Sequence, residues 1–298
     1  MNIINPATGT LIGTLNEHDL DDVQNALATL RVGQKEWAKH TVAFRLAVIS
    51  KFGELMLKHQ DELAAILTSE TGKPIQQSYN EIRGAMNRIV HLEQNAETWL
   101  ASELITVGAT EESISFEPLG VIANISAWNF PYNVGFNVFL YALVGGNAVA
   151  YKPSEYASLT GKKFESLLLD AGVPLDVFRC ITGGGETGKA MLQADFDGYF
   201  FTGSYATGKA IAEAVAHKLV PVQLELGGKD PLFVADDVLD VKQAAINAAE
   251  GAFYNNGQSC CAVERIYVHS AIHDAFVEAF VEEVGSYVIG DPVHNDTF

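Results

Sequence analysis

The sequence predicts an α/β fold in which a parallel sheet is covered by helices on both faces. From Gly120 onward, short apolar runs alternate with helical stretches, at residues 121–126, 148–152, 177–181, 199–202 and 222–226. Short apolar strands separated by helices are typical of such a sheet. The chain has 298 residues and 48% hydrophobic content, which is enough for a sizeable core. One large domain or two smaller ones are therefore expected.

The charge balance argues against two classes of partner. Asp and Glu outnumber Lys and Arg by 37 to 19, the formal net charge is -18, and no basic cluster interrupts the acidic composition. Nucleic acid and anionic membranes are therefore not expected partners. The three cysteines do not make a disulfide framework and fit a reducing compartment. The first residues lack the features of a signal peptide, so we predict a cytoplasmic protein.

Residues 118–151 contain no charged side chain, which raises the question of a membrane span. Pro131, several glycines and several asparagines interrupt the segment, and these residues suit a spanning helix poorly. A buried strand, a helix and a second buried strand are the better interpretation.

Four helices are predicted before residue 100. The first puts Leu20, Val23, Leu27 and Leu30 on one face, and the second carries Ile49, Phe52, Leu55 and Met56. The third runs from Asp61, a plausible N-cap, to Glu70, and is stopped by Gly72 and Pro74. The fourth spans residues 76–100.

Two alternating runs, at residues 104–107 and 113–116, flank Gly108-Ala109-Thr110 and indicate a β-hairpin. A two-stranded ribbon is only marginally stable alone, so we expect it to lie against another surface, such as a second subunit. An ordinary surface hairpin is equally consistent with the pattern.

Ligands of parallel sheets bind beyond the carboxyl ends of the strands, and polar residues stand at these places. Asn129 follows the first strand, where its amide could donate to a developing oxyanion or simply cap the next helix. Lys152 and Glu155 follow the second strand, where they suit phosphate or ribose hydroxyls, or are solvated surface charges.

Two glycine-containing turns follow the next strands. Residues 183–188 contain G-x-G-x-x-G, but no acidic residue lies about 20 residues further on, so a plain glycine turn is favoured. Residues 202–208 lead into a helix, where backbone N–H groups and the Ser204 hydroxyl suit a pyrophosphate. N-capping by Ser204 is compatible with this role.

Glu225 and Cys260 are the candidate reactive groups. Glu225 lies within an apolar run, where we expect burial that suits proton abstraction; a structural carboxylate is the alternative. Cys260 lies in a polar turn after an Ala-rich helical run, where it is either a nucleophile or a small packed hydrophobe. Cys180 and Cys261 are interpreted as structural. No metal site is predicted.

Six segments stand in one order along the chain: residues 118–121 (PLGV), 128–131 (WNFP), 152–155 (KPSE), 201–204 (FTGS), 224–229 (LELGGK) and 257–260 (GQSC). In order and approximate spacing they resemble the motifs of the NAD(P)-dependent aldehyde dehydrogenase superfamily. Any one motif is modest, whereas six in order are highly specific. The resemblance covers essentially the whole chain and implies a Rossmann-like sheet.

The resemblance implies a mechanism for three residues. Cys260, two positions after the glutamine of Gly-Gln-x-Cys, would attack the aldehyde, and Asn129 with the Cys260 backbone N–H would hold the oxyanion. Hydride transfer to the nicotinamide would leave a thioester, and Glu225 would activate the water that hydrolyses it. A CoA-acylating relative would not need this base, so Glu225 favours water as the acyl acceptor.

The resemblance also implies a cofactor site. Lys152 and Glu155 would contact the adenosine ribose, and Glu155 would repel a 2′-phosphate, so we expect NAD over NADP. The pyrophosphate turn would comprise Gly203, Ser204, Tyr205, Ala206, Thr207 and Gly208. Ser126, Trp128 and Leu226 complete the predicted contacts.

The predicted organisation has three parts. Residues 1–99 and 119–227 form the NAD-binding domain, residues 100–118 an oligomerisation hairpin, and residues 228–298 the first part of a catalytic domain. The family's Glu-Ile-Phe-Gly-Pro motif is absent. We therefore expect a chain that is C-terminally truncated relative to the family, from a parent that is a homodimer or homotetramer. The alternative function is an inactive NAD-binding or interaction fragment of such an enzyme.

Overall fold

The computed structural model describes residues 1–298. The chain opens with two short antiparallel strands, β1 (Asn2–Ile4) and β2 (Leu11–Thr14), which the sequence did not predict. The predicted turn between them is present, and the Asn5 side chain accepts a hydrogen bond from the Ala7 N–H at 2.9 Å. A side-chain oxygen that bonds to the backbone two residues on is typical of an asparagine turn.

The four predicted helices are all present. They are α1 (Leu20–Trp37), α2 (Val42–Lys58), α3 (Gln60–Thr71) and α4 (Ile75–Trp99). Asp19 and Asp22 form a reciprocal capping box at the start of α1. The predicted N-cap of α3 is wrong, because the cap is His59 and Asp61 lies in the first turn. Gly72 ends this helix as predicted, in the left-handed conformation.

The predicted hairpin consists of β3 (Glu103–Val107) and β4 (Thr110–Ile114). Its second strand begins three residues before the predicted start at Ser113, because Val107 pairs directly with Thr110 across a two-residue turn. Gly108 has a φ of 64° in that turn, a conformation that glycine adopts at little cost. All strand residues of the hairpin are exposed.

The next part of the chain builds a five-stranded parallel sheet with helices between its strands. Its elements are β5 (Val121–Ile125), α5 (Pro131–Val144), β6 (Ala148–Lys152), α6 (Ser158–Ala171), β7 (Phe178–Cys180), α7 (Gly185–Gln193), β8 (Gly198–Gly203), α8 (Tyr205–Val215) and β9 (Val222–Leu226). Short 3-10 helices occupy Glu155–Ala157 and Ala216–Lys218. The predicted α/β fold is confirmed.

The strand order is β7-β6-β5-β8-β9. From β5 the chain first adds β6 and β7 on one side of the sheet, and it then crosses to add β8 and β9 on the other side. Such a reversal of strand order opens a crevice at the carboxyl ends of the strands. Every residue of β5 and β6 is buried, which explains the uncharged stretch of the sequence. No helix of the protein combines the length and the apolar character that crossing a membrane requires.

The remaining chain forms β10 (Asp230–Val234), α9 (Val241–Phe253), a 3-10 helix (Tyr254–Gly257), β11 (Val263–Val268) and α10 (His273–Ser286). Strands β10 and β11 pair in parallel, and α9 packs with α10 beside them. A core of 49 buried residues lies before residue 228, and a separate core of five lies after it. This separation supports a domain boundary near residue 228, which stays a proposal.

Candidate active site

The turn that carries Cys260 has an unusual backbone. After α9, residues Asn255, Asn256 and Gly257 have φ values of 54°, 57° and 72°. Asparagine and glycine are the residues that most readily adopt this left-handed conformation. The three residues reverse the chain between α9 and β11, and they leave Cys260 and Cys261 exposed.

Hydrogen bonds join this turn to the residue after β5. The Asn129 side-chain amide donates to the Gln258 carbonyl at 2.9 Å, and the Asn255 side-chain amide donates to the Asn129 carbonyl at 3.0 Å. Asn129 does not cap α5, because Phe130 occupies the N-cap position. The structure therefore brings Asn129 and the Cys260 turn together.

The surroundings of Cys260 do not activate its thiol. Partial burial, and then the adjacent Cys261 thiol, raise the pKa of Cys260 above its usual value. The thiolate is the nucleophilic form, so a raised pKa reduces the reactive fraction at neutral pH. Cys180 is buried in the core, and burial raises the pKa of its thiol as well, which agrees with a structural role.

Glu225 lies on β9, which is an edge strand of the sheet. Its expected burial is wrong: the residue is exposed, and one carboxylate oxygen accepts a hydrogen bond from the Gln223 side chain at 3.3 Å. Leu224 and Leu226 pack against the large core, so the alternation of a strand turns Glu225 to the open face. The loop after β9 passes the nucleophile, because a Cβ built on Gly228 would lie 3.8 Å from the Cys260 carbonyl oxygen.

A cleft of about 580 Å³ opens at the carboxyl ends of β5, β6 and β8. Eight of the predicted cofactor contacts line it: Ser126, Trp128, Lys152, Glu155, Gly203, Ser204, Ala206 and Thr207. The other three, Tyr205, Gly208 and Leu226, are not part of its lining. Tyr205 is mostly exposed, whereas Gly208 packs directly against the Leu226 side chain.

Two buried polar groups of the cleft suit a dinucleotide. Lys152 is only 5% exposed, and burial lowers the pKa of its amine, although the nearby Glu155 opposes the shift. The buried Ser126 hydroxyl forms no hydrogen bond of good geometry, although the buried Tyr151 hydroxyl lies near it. Buried polar groups normally have partners, so a ligand that reaches the hydroxyl would satisfy it. The residues present therefore fit a nicotinamide dinucleotide.

The start of α8 offers a place for a pyrophosphate. Ser204 is its N-cap, and the Ser204 hydroxyl accepts a hydrogen bond from the Thr207 N–H at 3.3 Å. Both proposed roles of Ser204 are compatible with this geometry, because other N–H groups of the first turn stay free for an anion.

A second glycine turn also lines the cleft. Gly184, Gly185 and Gly188, from the motif interpreted as a plain turn, line the same cleft. A Cβ on Gly185 would meet nothing within 4 Å, so this backbone is open to a ligand. Glu155, which lines the same cleft, follows β6, the strand beside β7. The G-x-G-x-x-G spacing was thus the available signal.

The site also includes polar residues of the N-terminal helices that were not predicted from the sequence. Gln77 and Glu81 on α4, with Lys73 just before this helix, contact the segments of Asn129 and Cys260. The spacing of four residues between Gln77 and Glu81, on the buried face of α4, was the signal that could have found these two. No group of three or more His, Cys, Asp or Glu side chains is arranged to hold a metal ion.

Taken together, the α/β sheet, a cleft at the point where its strand order reverses and an exposed cysteine turn define a Rossmann-like protein. The model of the aldehyde dehydrogenase family matches residues 1–298, and the chain belongs to this family. Betaine aldehyde dehydrogenase of Vibrio vulnificus (strain CMCP6) is 34% identical to this chain over an aligned length of 306 residues, gaps included. The aligned region covers 99% of this chain and 61% of that protein. The chain thus spans less than two thirds of the length of this curated relative.

Solved structures share the fold closely. Indole-3-acetaldehyde dehydrogenase AldA of P. syringae, in complex with NAD+ and IAA, matches with a TM-score of 0.96 and 31% identity, covering 100% of this chain and 61% of that one. An E. coli NADP-dependent enzyme matches with a TM-score of 0.95 and 29% identity, covering 99% and 62%. Similar folds therefore accept either form of the dinucleotide.

Proposed function

We propose that the protein oxidises an aldehyde to a carboxylic acid with NAD as the hydride acceptor. The observation that carries the proposal is the 2.9 Å hydrogen bond from the Asn129 amide to the Gln258 carbonyl, two residues before Cys260. This bond supports the proposal because it joins an amide donor to the turn that carries an exposed thiol, and Trp128, the neighbour of Asn129, lines the cleft. Thiol, oxyanion donor and hydride acceptor would then meet at one place.

In the proposed reaction the Cys260 thiolate adds to the aldehyde carbon and forms a thiohemiacetal. The side-chain amide of Asn129 has two hydrogens, of which one bonds to Gln258, so the other can donate to the new oxyanion together with the Cys260 N–H. The bound dinucleotide supplies the hydride acceptor. Loss of hydride from the thiohemiacetal carbon leaves a thioester on Cys260.

Glu225 is proposed to complete the cycle as the general base. It would take a proton from the water that attacks the thioester carbonyl, and the Cys260 thiolate would leave as the carboxylic acid forms. The exposure of Glu225 requires that the side chain move toward Cys260 or that substrate and cofactor cover the site. The closeness of Gly228 to the Cys260 carbonyl supports this role, because the loop after β9 and the backbone of the cysteine turn are neighbours.

The preference for NAD rests on Glu155. The Glu155 carboxylate lies on the cleft lining, where it would accept hydrogen bonds from both ribose hydroxyls and repel a 2′-phosphate. Steady-state rates should favour NAD, and Glu155→Gln should narrow the difference by weakening the repulsion. A clear preference of the unaltered protein for NADP would refute this assignment.

A second candidate is a dinucleotide-binding module with little or no turnover. The exposure of Glu225 and the raised pKa of Cys260 favour it, because neither group is prepared for its chemical step. NADH formation from a panel of aldehydes separates the two functions. Turnover that disappears in Cys260→Ala supports the dehydrogenase, and NAD binding without turnover supports the module.

The role of Glu225 has its own test. In Glu225→Gln, the first burst of NADH should persist while steady-state turnover falls, because hydride transfer precedes thioester hydrolysis. Unaltered steady-state turnover would exclude Glu225 as the base. Gln223→Ala is the matched control, because this side chain contacts Glu225 without an assigned chemical role.

The hairpin of β3 and β4 is proposed to contact a second subunit, in a homodimer or homotetramer. Leu104 and Val107 are 68% and 66% exposed on it, and a protruding apolar ribbon is costly to leave in water. Light scattering of Leu104→Asp would then report smaller particles than the unaltered chain. An unchanged mass would place any subunit contact elsewhere.

A further inference from the structure

Three polar residues with a spacing of four point into the interior next to the candidate active site. Lys73, Gln77 and Glu81 are 0%, 6% and 4% exposed, although their side chains are among the longest polar ones. Burying such groups is costly unless each one is paired and hydrogen-bonded. None of them lines the dinucleotide cleft. Their partners therefore indicate what they do.

Lys73 and Glu81 hold the segment next to Asn129. The two side chains form a buried ion pair, and the Lys73 ammonium lies 4.0 Å from the centre of the Phe130 ring. The second oxygen of Glu81 accepts from the Tyr132 N–H at 2.9 Å, in the first turn of α5. A carboxylate is favoured at the N-terminus of a helix. The start of α5, and with it Asn129, is thereby fixed to α4.

Gln77 holds the turn that leads to Cys260. Its side-chain oxygen accepts from the Asn255 N–H at 2.7 Å, and Asn255 is 1% exposed. The Asn255 side chain in turn donates to the carbonyls of Asn129 and Gln258, at 3.0 and 3.3 Å. Asn255 and the next residue both have left-handed conformations, which non-glycine residues hold only where their surroundings require it.

We propose that Lys73, Gln77 and Glu81 are positioning residues that set the oxyanion donor Asn129 against the nucleophile Cys260. Asn129 follows β5, a strand of the larger core, whereas Cys260 follows α9, a helix of the smaller core. The three positioning residues contact the segments of both. The Lys73–Glu81 ion pair fixes the segment of Asn129, and Gln77 fixes the cysteine turn. The Asn255 side chain joins these two segments through its hydrogen bonds to both. This inference rests on the proposed dehydrogenase function.

The key variant is Gln77→Met, which keeps the size of the side chain and removes the acceptor oxygen. Loss of this buried bond should speed hydrogen exchange of the Asn255 amide by about tenfold or more. In a Cys261→Ser background, Gln77→Met should change both the rate and the pH profile of Cys260 alkylation by iodoacetamide. Gln77→Glu retains an acceptor oxygen and should restore both readouts toward the original values.

Gln76→Met is the matched control on the same helix. The Gln76 side chain donates to Asn295 and not to the cysteine turn, so exchange of Asn255 and alkylation of Cys260 should be unchanged. Exchange and alkylation that respond equally to both methionine variants, or to neither, would overturn the proposal.

The catalytic readout is the rate of the first NADH burst at saturating aldehyde. Gln77→Met should slow it by about tenfold or more, with the dissociation constant of NAD changed less than roughly twofold, since the cleft residues are separate. A parallel loss of NAD affinity and burst rate would show a merely structural role and would overturn the proposal. Asn255→Gly removes only the bridging amide and should slow the burst similarly, so it serves if Gln77→Met does not fold.

Failure of the inference and failure of the proposed function are distinguishable. If the unaltered chain reduces no NAD with any aldehyde, the dehydrogenase function fails, while amide exchange and alkylation still judge the positioning role. If NADH forms normally and Gln77→Met leaves the burst, the exchange and the alkylation unchanged, the positioning role fails and the dehydrogenase function stands.

Discussion

The two cores of the molecule differ in depth, and the candidate active site draws on both. The larger core contains 49 buried residues around the parallel sheet and positions the proposed dinucleotide cleft. The smaller contains five, from β10, α9 and α10, and carries the cysteine turn beside it. A cleft on a deep core is preformed, whereas a thiol on a shallow core depends on contacts from elsewhere. Lys73, Gln77 and Glu81, at the start of α4 and just before it, provide those contacts.

The largest effect should come from emptying the deep core. Phe139 is fully buried, and four aromatic rings lie within 5.8 Å of its ring centre. Phe139→Ala should lower the free energy of unfolding by about 3–5 kcal/mol, because it leaves a cavity in a rigid aromatic cluster. Urea denaturation measures the loss, and NAD affinity should fall with it.

Phe276→Ala is the counterpart in the shallow core, where Phe276 is 3% exposed. Hydrogen exchange should increase across residues 228–298 while NAD affinity is retained, because the cleft lies on the other core. Equal loss of NAD affinity in both variants would show that the two cores unfold as one unit.

The next effect concerns binding at the cleft. Lys152→Met should raise the dissociation constant of NAD by about 10–100-fold, because a hydrogen bond to a charged group is typically worth 1.5–3 kcal/mol. Lys189→Met is the control, since Lys189 also lines the cleft but pairs with Glu186 at 2.7 Å. Calorimetry that finds equal losses in the two variants would refute the ribose role of Lys152.

A smaller effect tests whether an aspartate N-cap contributes to global stability in both regions. Asp19 caps α1 in the large core and Asp240 caps α9 in the small one, each accepting from a backbone N–H at 2.9 Å. Alanine at either position should cost about 1 kcal/mol. Asp19→Ala should lower global stability in urea, whereas Asp240→Ala should open only residues 228–298 to hydrogen exchange. A loss of global stability in both variants would show that the two regions unfold as one unit.

The smallest effect is a pH shift at the turn. Burial and then Cys261 raise the pKa of Cys260, so Cys261→Ala should move the midpoint of its iodoacetamide alkylation to lower pH. The sign follows because removing the neighbouring thiol removes a group that disfavours the Cys260 thiolate. A midpoint that stays in place would assign the raised pKa to burial alone.

The sheet and most helices could be predicted because their signals are local. Uniformly apolar runs such as β5 and β6 indicate strands that are covered on both faces, and Gly72 marks a helix end through its backbone freedom. The unpredicted N-terminal strands are short, so they lack such a signal. The early start of β4 depended on one glycine turn, which sets the register of the whole hairpin.

The candidate site could be predicted in its residue types but not in its environment. Glu225 stands in a run that is largely apolar, yet β9 is an edge strand, and a strand alternates its side chains between two faces. Whether one face is covered depends on what packs against it. The glycine motif could not be placed at the cleft from the sequence, because the other residues that line the cleft come from segments far from it along the chain.

The sequence by itself determined the α/β architecture, the aldehyde dehydrogenase family and the identity of Asn129, Glu225 and Cys260 as candidate residues. These follow from local periodicity and from ordered motifs, which are properties of short segments. Only the tertiary structure decided that Glu225 is exposed, that Gly184 and Gly185 face the cleft, and that α4 joins Asn129 to the cysteine turn. Burial and hydrogen-bond partners are properties of pairs of segments, and residues such as Gln77 and Asn255 meet only when the chain has folded.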